Sequence, residues 1–329
     1  MGIMINFEYT RVSSTKAAVD AKSKNASAQF IAGGTNLVDL MKKGITSPER
    51  LIDINRLPLQ QITTDANGIL IGALALNSDV AEHPLIKSKF PLLAHALNAG
   101  ASAQLRNMAT VGGNMMQRTR CSYFYDTTMP CNKREPGSGC GALQGQNRMH
   151  AIFGTSEKCI AVHPSDMCVA LAALNATVHI TGPKGERKVL LTDFHRLPGN
   201  TPEIDNVLQK SELITGVHIP TNTFNKSHYL KIRDRSSYAF ALVSVAVVLD
   251  VSGNKIRGAK LAMGGVAHKP WRMTAVEKFL IGKETTKENF TTAGNMAMEG
   301  AVSFGHNDFK IKMGKAAVTE ALKQAVQNI

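Results

Sequence analysis

Phe30-Ile31-Ala32-Gly33-Gly34-Thr35-Asn36-Leu37 joins two different periodicities. Ala28 to Ala32 reads as a short strand, and Leu37-Val38-Asp39-Leu40-Met41-Lys42-Lys43 reads as a helix with Thr35 or Asn36 as its N-cap and Gly44 as its stop. Arg50 to Ile54 is the next strand, so the chain opens on a compact β-α-β unit. Two glycines without a Cβ let backbone N–H groups approach an anion, and a helix start adds partial positive charge, so a diphosphate fits this turn. The pattern is neither G-x-G-x-x-G nor G-x-x-x-x-G-K-S/T, which leaves a Rossmann nicotinamide site and a Walker ATP site unsupported.

Working outward, residues 61–74 read as a hairpin turning at Asn67-Gly68. Pro91 to Ala103 carries helical periodicity and runs into a second glycine turn, Thr110-Val111-Gly112-Gly113-Asn114. One Gly-Gly pair is no more than a tight turn, but two such loops can close on one extended ligand from opposite sides. Asp166 to Ala173 reads as a helix, Thr177 to Ile180 as a strand, Gly182-Pro183-Lys184-Gly185 as a turn, and Glu212 to Pro220 as a strand closed by proline. We place a boundary between Pro220 and Ser227, giving domains 1–222 and 223–329. In the second, Ala241 to Val251 and Lys255 to Ala267 form a hairpin around Ser252-Gly253-Asn254, and the remainder is helical. Val318, Leu322, Ala325 and Ile329 recur at the spacing of one buried helix face. The fold class is α+β.

Residues 117–160 interrupt this regularity and contain Cys121, Cys131, Cys140 and Cys159, with nine, eight and eighteen residues between successive members. The total of five cysteines is odd, and the N-terminus has no basic segment followed by an apolar one, so a complete disulfide framework is a poor fit. Structural zinc favours a closely spaced cysteine pair, which is absent. Four thiolates spread along a loop suit an iron–sulfur cluster, which is larger than one ion, although the compact ferredoxin spacing is also missing. Spacing alone leaves a zinc site and incidental buried thiols open. Cys168 sits in an apolar helical stretch and reads as a core residue.

Lys+Arg 38 against Asp+Glu 25 gives a net charge of +13, which admits nucleic acid, anionic cofactors or acidic partners. The basic residues are scattered and aromatics make up 5 %, which argues against a nucleic-acid groove. The longest strongly apolar run, Phe240 to Leu249, is about half a bilayer span, so no membrane span is expected. Asp166 could accept from sugar or ribityl hydroxyls or cap the helix that follows it. Lys231 could place a cation near a phosphate or flavin, or belong to a solvated charge run. No Ser-His-Asp, paired-carboxylate or H-E-x-x-H arrangement stands out.

Phe30–Leu37, Thr110–Asn114 and His163-Pro164-Ser165-Asp166, in that order, resemble the flavin-binding medium subunits of the xanthine dehydrogenase/molybdenum hydroxylase family, over essentially the whole chain. The cysteine segment, from Arg118 through Cys159, and Lys231 to Ser244 most resemble the [4Fe-4S]-containing medium subunit of bacterial periplasmic aldehyde oxidoreductases. The resemblance implies a two-subdomain FAD-binding domain of the PCMH/vanillyl-alcohol-oxidase-like type, then a C-terminal α+β domain of the CO dehydrogenase flavoprotein type with an antiparallel sheet and helices. It implies FAD held by Phe30, Ile31, Ala32, Gly33, Gly34, Thr35, Asn36 and Leu37, by Thr110, Gly113 and Asn114, and by Asp166 and Lys231, with Ile160 and Ile214 packing nearby. Cys121, Cys131, Cys140 and Cys159 would hold the cluster, and no residue of this chain would act on substrate directly. The implied partners are a large molybdenum subunit with molybdopterin cytosine dinucleotide, a small subunit with two [2Fe-2S] clusters, and an external electron acceptor. Aldehyde would be oxidised to carboxylate in a heterotrimer exported to the periplasm by a partner's signal, with a cytoplasmic complex as the alternative. A structural zinc module and a basic nucleic-acid binder are the competing functions.

Overall fold

The computed structural model describes residues 4–327, so Ile329 and the first three residues lie outside the described residues. Strands β1 (Glu8–Arg11), β2 (Gln29–Ile31) and β3 (Arg50–Asp53) form a parallel sheet in the order β1-β3-β2, with the helices Thr15–Lys24 and Leu37–Lys42 as crossovers. β4 (Ile62–Asp65), β5 (Gly68–Gly72), β6 (Thr177–Gly182), β7 (Gly185–Leu190) and β8 (Leu213–Pro220) form an antiparallel sheet ordered β4-β5-β8-β6-β7. The third sheet, also antiparallel, is ordered β12-β11-β10-β9 from β9 (Lys226–Ile232), β10 (Val243–Ser252), β11 (Lys255–Gly264) and β12 (Trp271–Arg272).

The apolar run that was too short for a bilayer is the middle of this third sheet. Val243, Val245, Val247 and Leu249 face the C-terminal helices, whereas Ala246 and Val248 face the helices Pro91–Ala99 and Asp166–Ala173 of the first domain. A strand covered on both sides needs apolar residues at successive positions, which is why alternation is lost. No helix among the described residues is long and apolar enough to cross a membrane.

Local details depart from the expectations in three places. The β4–β5 turn is Ala66-Asn67, closed by Asn67 N–H donating to Asp65 Oδ1 at 2.7 Å, and Gly68 is already in the ladder. Gly68 is needed there because a Cβ would lie 2.1 Å from the Ile219 carbonyl oxygen. The helix from Pro91 stops at Ala99, ahead of Gly100 and the left-handed Ala101, and a separate turn, Ala103–Arg106, follows. Asn36 occupies the N-cap position, but its side chain makes no cap hydrogen bond, having another task described below.

The last helix, Phe309–Gln327, buries Val318, Leu322 and Ala325 as its spacing predicts. Leu322 is fully buried on a helix that packs against β10, β9 and the helix Lys287–Met296. Leu322→Ala is expected to cost about 2–5 kcal/mol, from lost transfer energy plus a cavity, read as a lowered denaturant midpoint.

Candidate functional site

The two glycine turns meet. A Cβ on Gly33 would sit 1.8 Å from the Met108 carbonyl oxygen, so only glycine allows the backbone before Thr110 to lie against the first loop. Gly34 has φ +71°, a conformation that side chains resist. The loop is tied from below by Asn55, whose Nδ2 donates to the Ala32 carbonyl at 3.2 Å and to Asp53 Oδ1 at 2.8 Å. In the second turn Thr110 Oγ1 accepts from Gly113 N–H at 3.2 Å, making Thr110 the cap of the helical turn Val111–Met115.

Neither turn lines the neighbouring cavity of about 340 Å³, of whose wall Asp166 alone among the expected FAD contacts is a part, but each turn is hydrogen-bonded to it or to the residue beside it. Asn36 Oδ1 accepts from the Arg118 N–H at 3.0 Å, next to Thr119 and Arg120 in the cavity wall. Asn114 Oδ1 accepts from Ser165 Oγ at 2.6 Å, and Ser165 and Asp166 line the cavity too. Ser165, not Asp166, caps the helix Asp166–Ala173, by accepting from Cys168 N–H at 3.0 Å. Asp166 is thereby free for a different pairing: its oxygens accept from Tyr229 Oη at 2.7 Å and Lys231 Nζ at 2.8 Å. Lys231 is no solvated charge, since its side chain is 4 % exposed and also donates to the Ala99 carbonyl. Ile160 is fully buried next to Cys159, and Ile214 is buried on β8 opposite Ile180. Ile160, Ile214 and Lys231 do not line the cavity, and of the three Lys231 reaches its wall through Asp166.

The site suits a polar ligand in one specific respect. Arg120 Nε, in the cavity wall, is buried with no hydrogen-bond partner, whereas Asn36 Nδ2 at the glycine-loop end is directed to the Tyr125 hydroxyl. Buried donors left unpaired are uncommon and costly, so a bound acceptor would complete this one. Arg120 is aimed by Asp39 at 3.0 Å and packs over the rings of Tyr125 and Phe240.

Cys121 lies in the same wall and also borders a second, smaller void that Cys131, Cys140 and Cys159 line with it. Cys131 and Cys140 face each other across an antiparallel bridge, and all five cysteines are free thiols. A single tetrahedral ion with Zn–S near 2.3 Å needs sulfurs about 3.8 Å apart. The one group among the described residues whose ligand atoms all fall within 4.8 Å is instead His163, Cys168 and His195. The four insertion cysteines instead line one void together. Burial pushes the Cys121 thiol up to about 12 and Cys159 to about 11, a penalty on free thiolates that a bound cation relieves. Cys168 is fully buried in the first-domain core, where burial raises its thiol to about 12.

Two family models match this chain: the FAD binding domain in molybdopterin dehydrogenase over residues 5–222, and the CO dehydrogenase flavoprotein C-terminal domain over residues 228–325. The chain belongs to the FAD-binding medium subunits of the molybdenum hydroxylases. It is 47 % identical over 322 residues to the aldehyde oxidoreductase FAD-binding subunit PaoB of Escherichia coli, covering 97 % of this chain and 98 % of that one. It is 33 % identical over 279 residues to the glyceraldehyde dehydrogenase medium chain of Sulfolobus acidocaldarius, covering 84 % and 82 %. Among solved structures, carbon monoxide dehydrogenase from Hydrogenophaga pseudoflava superposes with a TM-score of 0.78 at 26 % identity over 99 % of each chain. This medium subunit is therefore an FAD-binding part of an oxidoreductase, with the expected α+β architecture.

Sequence reasoning passed over the residues that hold the subunit's cysteine segment in place. Asp205 accepts from Arg118 Nε at 2.7 Å and from Lys133 Nζ, and Lys133, its side chain 2 % exposed, also donates to the Pro202 carbonyl. Asn132 Oδ1 accepts from the Gly137 and Gly139 N–H groups, and Arg134 donates to three carbonyls between Tyr123 and Met129. No spacing rule marks such contacts. Burial alone would raise the Asp205 carboxyl, but Lys133 and Arg118 reverse this and hold it at about 2. Because the folded value lies below the unfolded one, the stabilisation is present above about pH 4 and is lost as pH falls toward 2. Asp205→Asn, which strands the buried Lys133 ammonium, is expected to cost about 3–5 kcal/mol at pH 7 and to flatten the stability profile between pH 4 and 2 in denaturant titrations.

Proposed function

We propose that this chain is the electron-transferring flavoprotein subunit of a molybdenum-dependent aldehyde oxidoreductase, with FAD along its glycine turns and cavity and a [4Fe-4S] cluster among Cys121, Cys131, Cys140 and Cys159. One observation carries the reading: Cys121, Thr119 and His150 form a wall common to the cavity and the sulfur-lined void. Two redox groups so placed would be neighbours. The similarity to a subunit named for aldehyde oxidation and FAD binding supports the substrate class.

In this reading residues 1–222 are the flavin domain and residues 223–329 the domain that closes over it. Phe30 to Leu37 present backbone N–H groups to the diphosphate, Thr110, Gly113 and Asn114 form the facing loop, and Asp166 offers the cavity a carboxylate whose charge Lys231 balances. Ile160 and Ile214 back the pocket from the core. The void walls keep water from the sulfurs, as the burial of Cys131 and Cys159 favours. Bound FAD supplies a carrier that takes electrons in pairs and releases them singly, and the cluster supplies a one-electron carrier. Substrate is handled elsewhere: aldehyde and water become carboxylate, three protons and two electrons at a large subunit holding molybdopterin cytosine dinucleotide. The electrons reach this chain through a small subunit with two [2Fe-2S] clusters and leave for an external acceptor. We place the heterotrimer in the periplasm, carried by a partner's twin-arginine signal, and a cytoplasmic complex is the alternative that the partner N-termini decide.

Anaerobic absorption and metal analysis of the purified complex tests this reading. Flavin bands with an iron–sulfur shoulder are expected, bleaching on addition of an aromatic aldehyde. A colourless complex with one zinc per medium subunit overturns it. Cys131→Ser or Cys140→Ser is expected to lower iron and acid-labile sulfide with little change in FAD, while Cys168→Ser leaves both in place. Gly33→Ala must push the Met108 backbone away, and is expected to weaken FAD binding by roughly tenfold or more, about 1.4 kcal/mol, measured as flavin content after gel filtration.

A further inference from the structure

Two histidines touch two of the four sulfurs. His150 Nε2 lies 3.1 Å from Cys121 Sγ, and His268 Nε2 lies 3.3 Å from Cys159 Sγ. The backbone is anchored at both positions. The His150 N–H donates to the Asn147 carbonyl, and its own carbonyl accepts from Lys310 Nζ at 2.9 Å. His268 follows Ala267, whose carbonyl accepts from His163 N–H at 3.0 Å. Each ring has its Nδ1 buried with no partner.

The tautomer follows from that pattern. A neutral imidazole carries one N–H. With the proton on Nδ1, a buried donor would lack an acceptor and the Nε2 lone pair would face sulfur lone pairs. With the proton on Nε2, the N–H meets the sulfur and no donor is stranded, which is the less costly arrangement.

We propose that His150 and His268 each donate an Nε2–H hydrogen bond to a cysteine thiolate of the centre and thereby raise its reduction potential. The inference rests on the cluster assignment made above. An N–H aimed at a ligand sulfur stabilises the more negative, reduced state more than the oxidised one, so the one-electron couple shifts upward. The electron comes from aldehyde oxidation by way of the small subunit, and no proton leaves either ring. His268 belongs to the second domain, so that domain helps to set the centre's potential. Both are positioning residues acting through the cysteines.

The test is an EPR-monitored dithionite titration of the purified complex. His150→Phe and His268→Phe keep a ring and remove the N–H. Each is expected to move the four-iron midpoint to more negative potential, and the double variant further, with the two-iron midpoints unchanged and, in His268→Phe, whose site lies outside the cavity wall, FAD content unchanged. His268→Gln, which restores a donor, is expected to return the midpoint toward that of the unmodified complex. Normal iron and sulfide with an unmoved midpoint in both Phe variants overturns the inference. Pulsed EPR of the unmodified complex labelled with ¹⁵N-histidine covers the case in which a variant loses its iron. Coupling of the reduced four-iron signal to imidazole nitrogen and an exchangeable proton supports the inference, and its absence overturns it. An unmodified complex without a four-iron signal overturns the cluster assignment itself, a result distinct from a normal signal with an unmoved midpoint.

Discussion

Asp205 is the anchor on which the cysteine segment depends. Apart from a helical turn and isolated bridges, residues 117–160 have no regular ladder to fix them. Their position comes from side chains reaching backbone and from one carboxylate that pairs with both Arg118 and Lys133. Arg118 then does a second job, since its backbone N–H satisfies Asn36 at the end of the first glycine loop. A single, partly buried charge network thus links the loop that begins the fold to the segment that carries the sulfurs. Removing the carboxylate leaves a sequestered ammonium, the costly way to break such a network.

The third sheet joins the two halves. β10 is covered by the first domain's helices on one face and by the C-terminal helices on the other, so the domains share a strand's two surfaces instead of meeting at a wet boundary. The Lys231–Asp166 pair crosses the same junction from β9 to the cavity wall, and Tyr229 adds a second donor from the same strand. A carboxylate beside the cavity is therefore held by the domain that does not carry the glycine turns.

What could be read from the chain was local. Strand, glycine turn and helix at residues 28–43 follow from a change of period and from residues lacking a Cβ, and both are visible in a short window. The same holds for the β10–β11 hairpin and the buried face of the last helix. Failures came where a residue answers to something distant. Asn36 looked like a cap, but its oxygen is committed to Arg118, 82 positions away. Gly68 looked like a turn residue, but it is small because Ile219 approaches it. Lys231 read equally as a cation beside the flavin or as part of a solvated run, and its partners Asp166 and the Ala99 carbonyl lie too far away in sequence to be seen. His268 lies 109 positions from Cys159, and no motif could have joined them.

The backbone of the cysteine segment is also stitched to the end of the chain. Ile152 and Phe153 N–H groups donate to the Val266 carbonyl, and Asn307 and Lys310 close on the carbonyls of His150 and Ala151. The sulfur pocket is consequently unfinished while the ribosome is still making the last quarter of the polypeptide. The four cysteines therefore reach their final surroundings only after the C-terminal residues have docked, so this part of the molecule matures last although it lies in the middle of the chain.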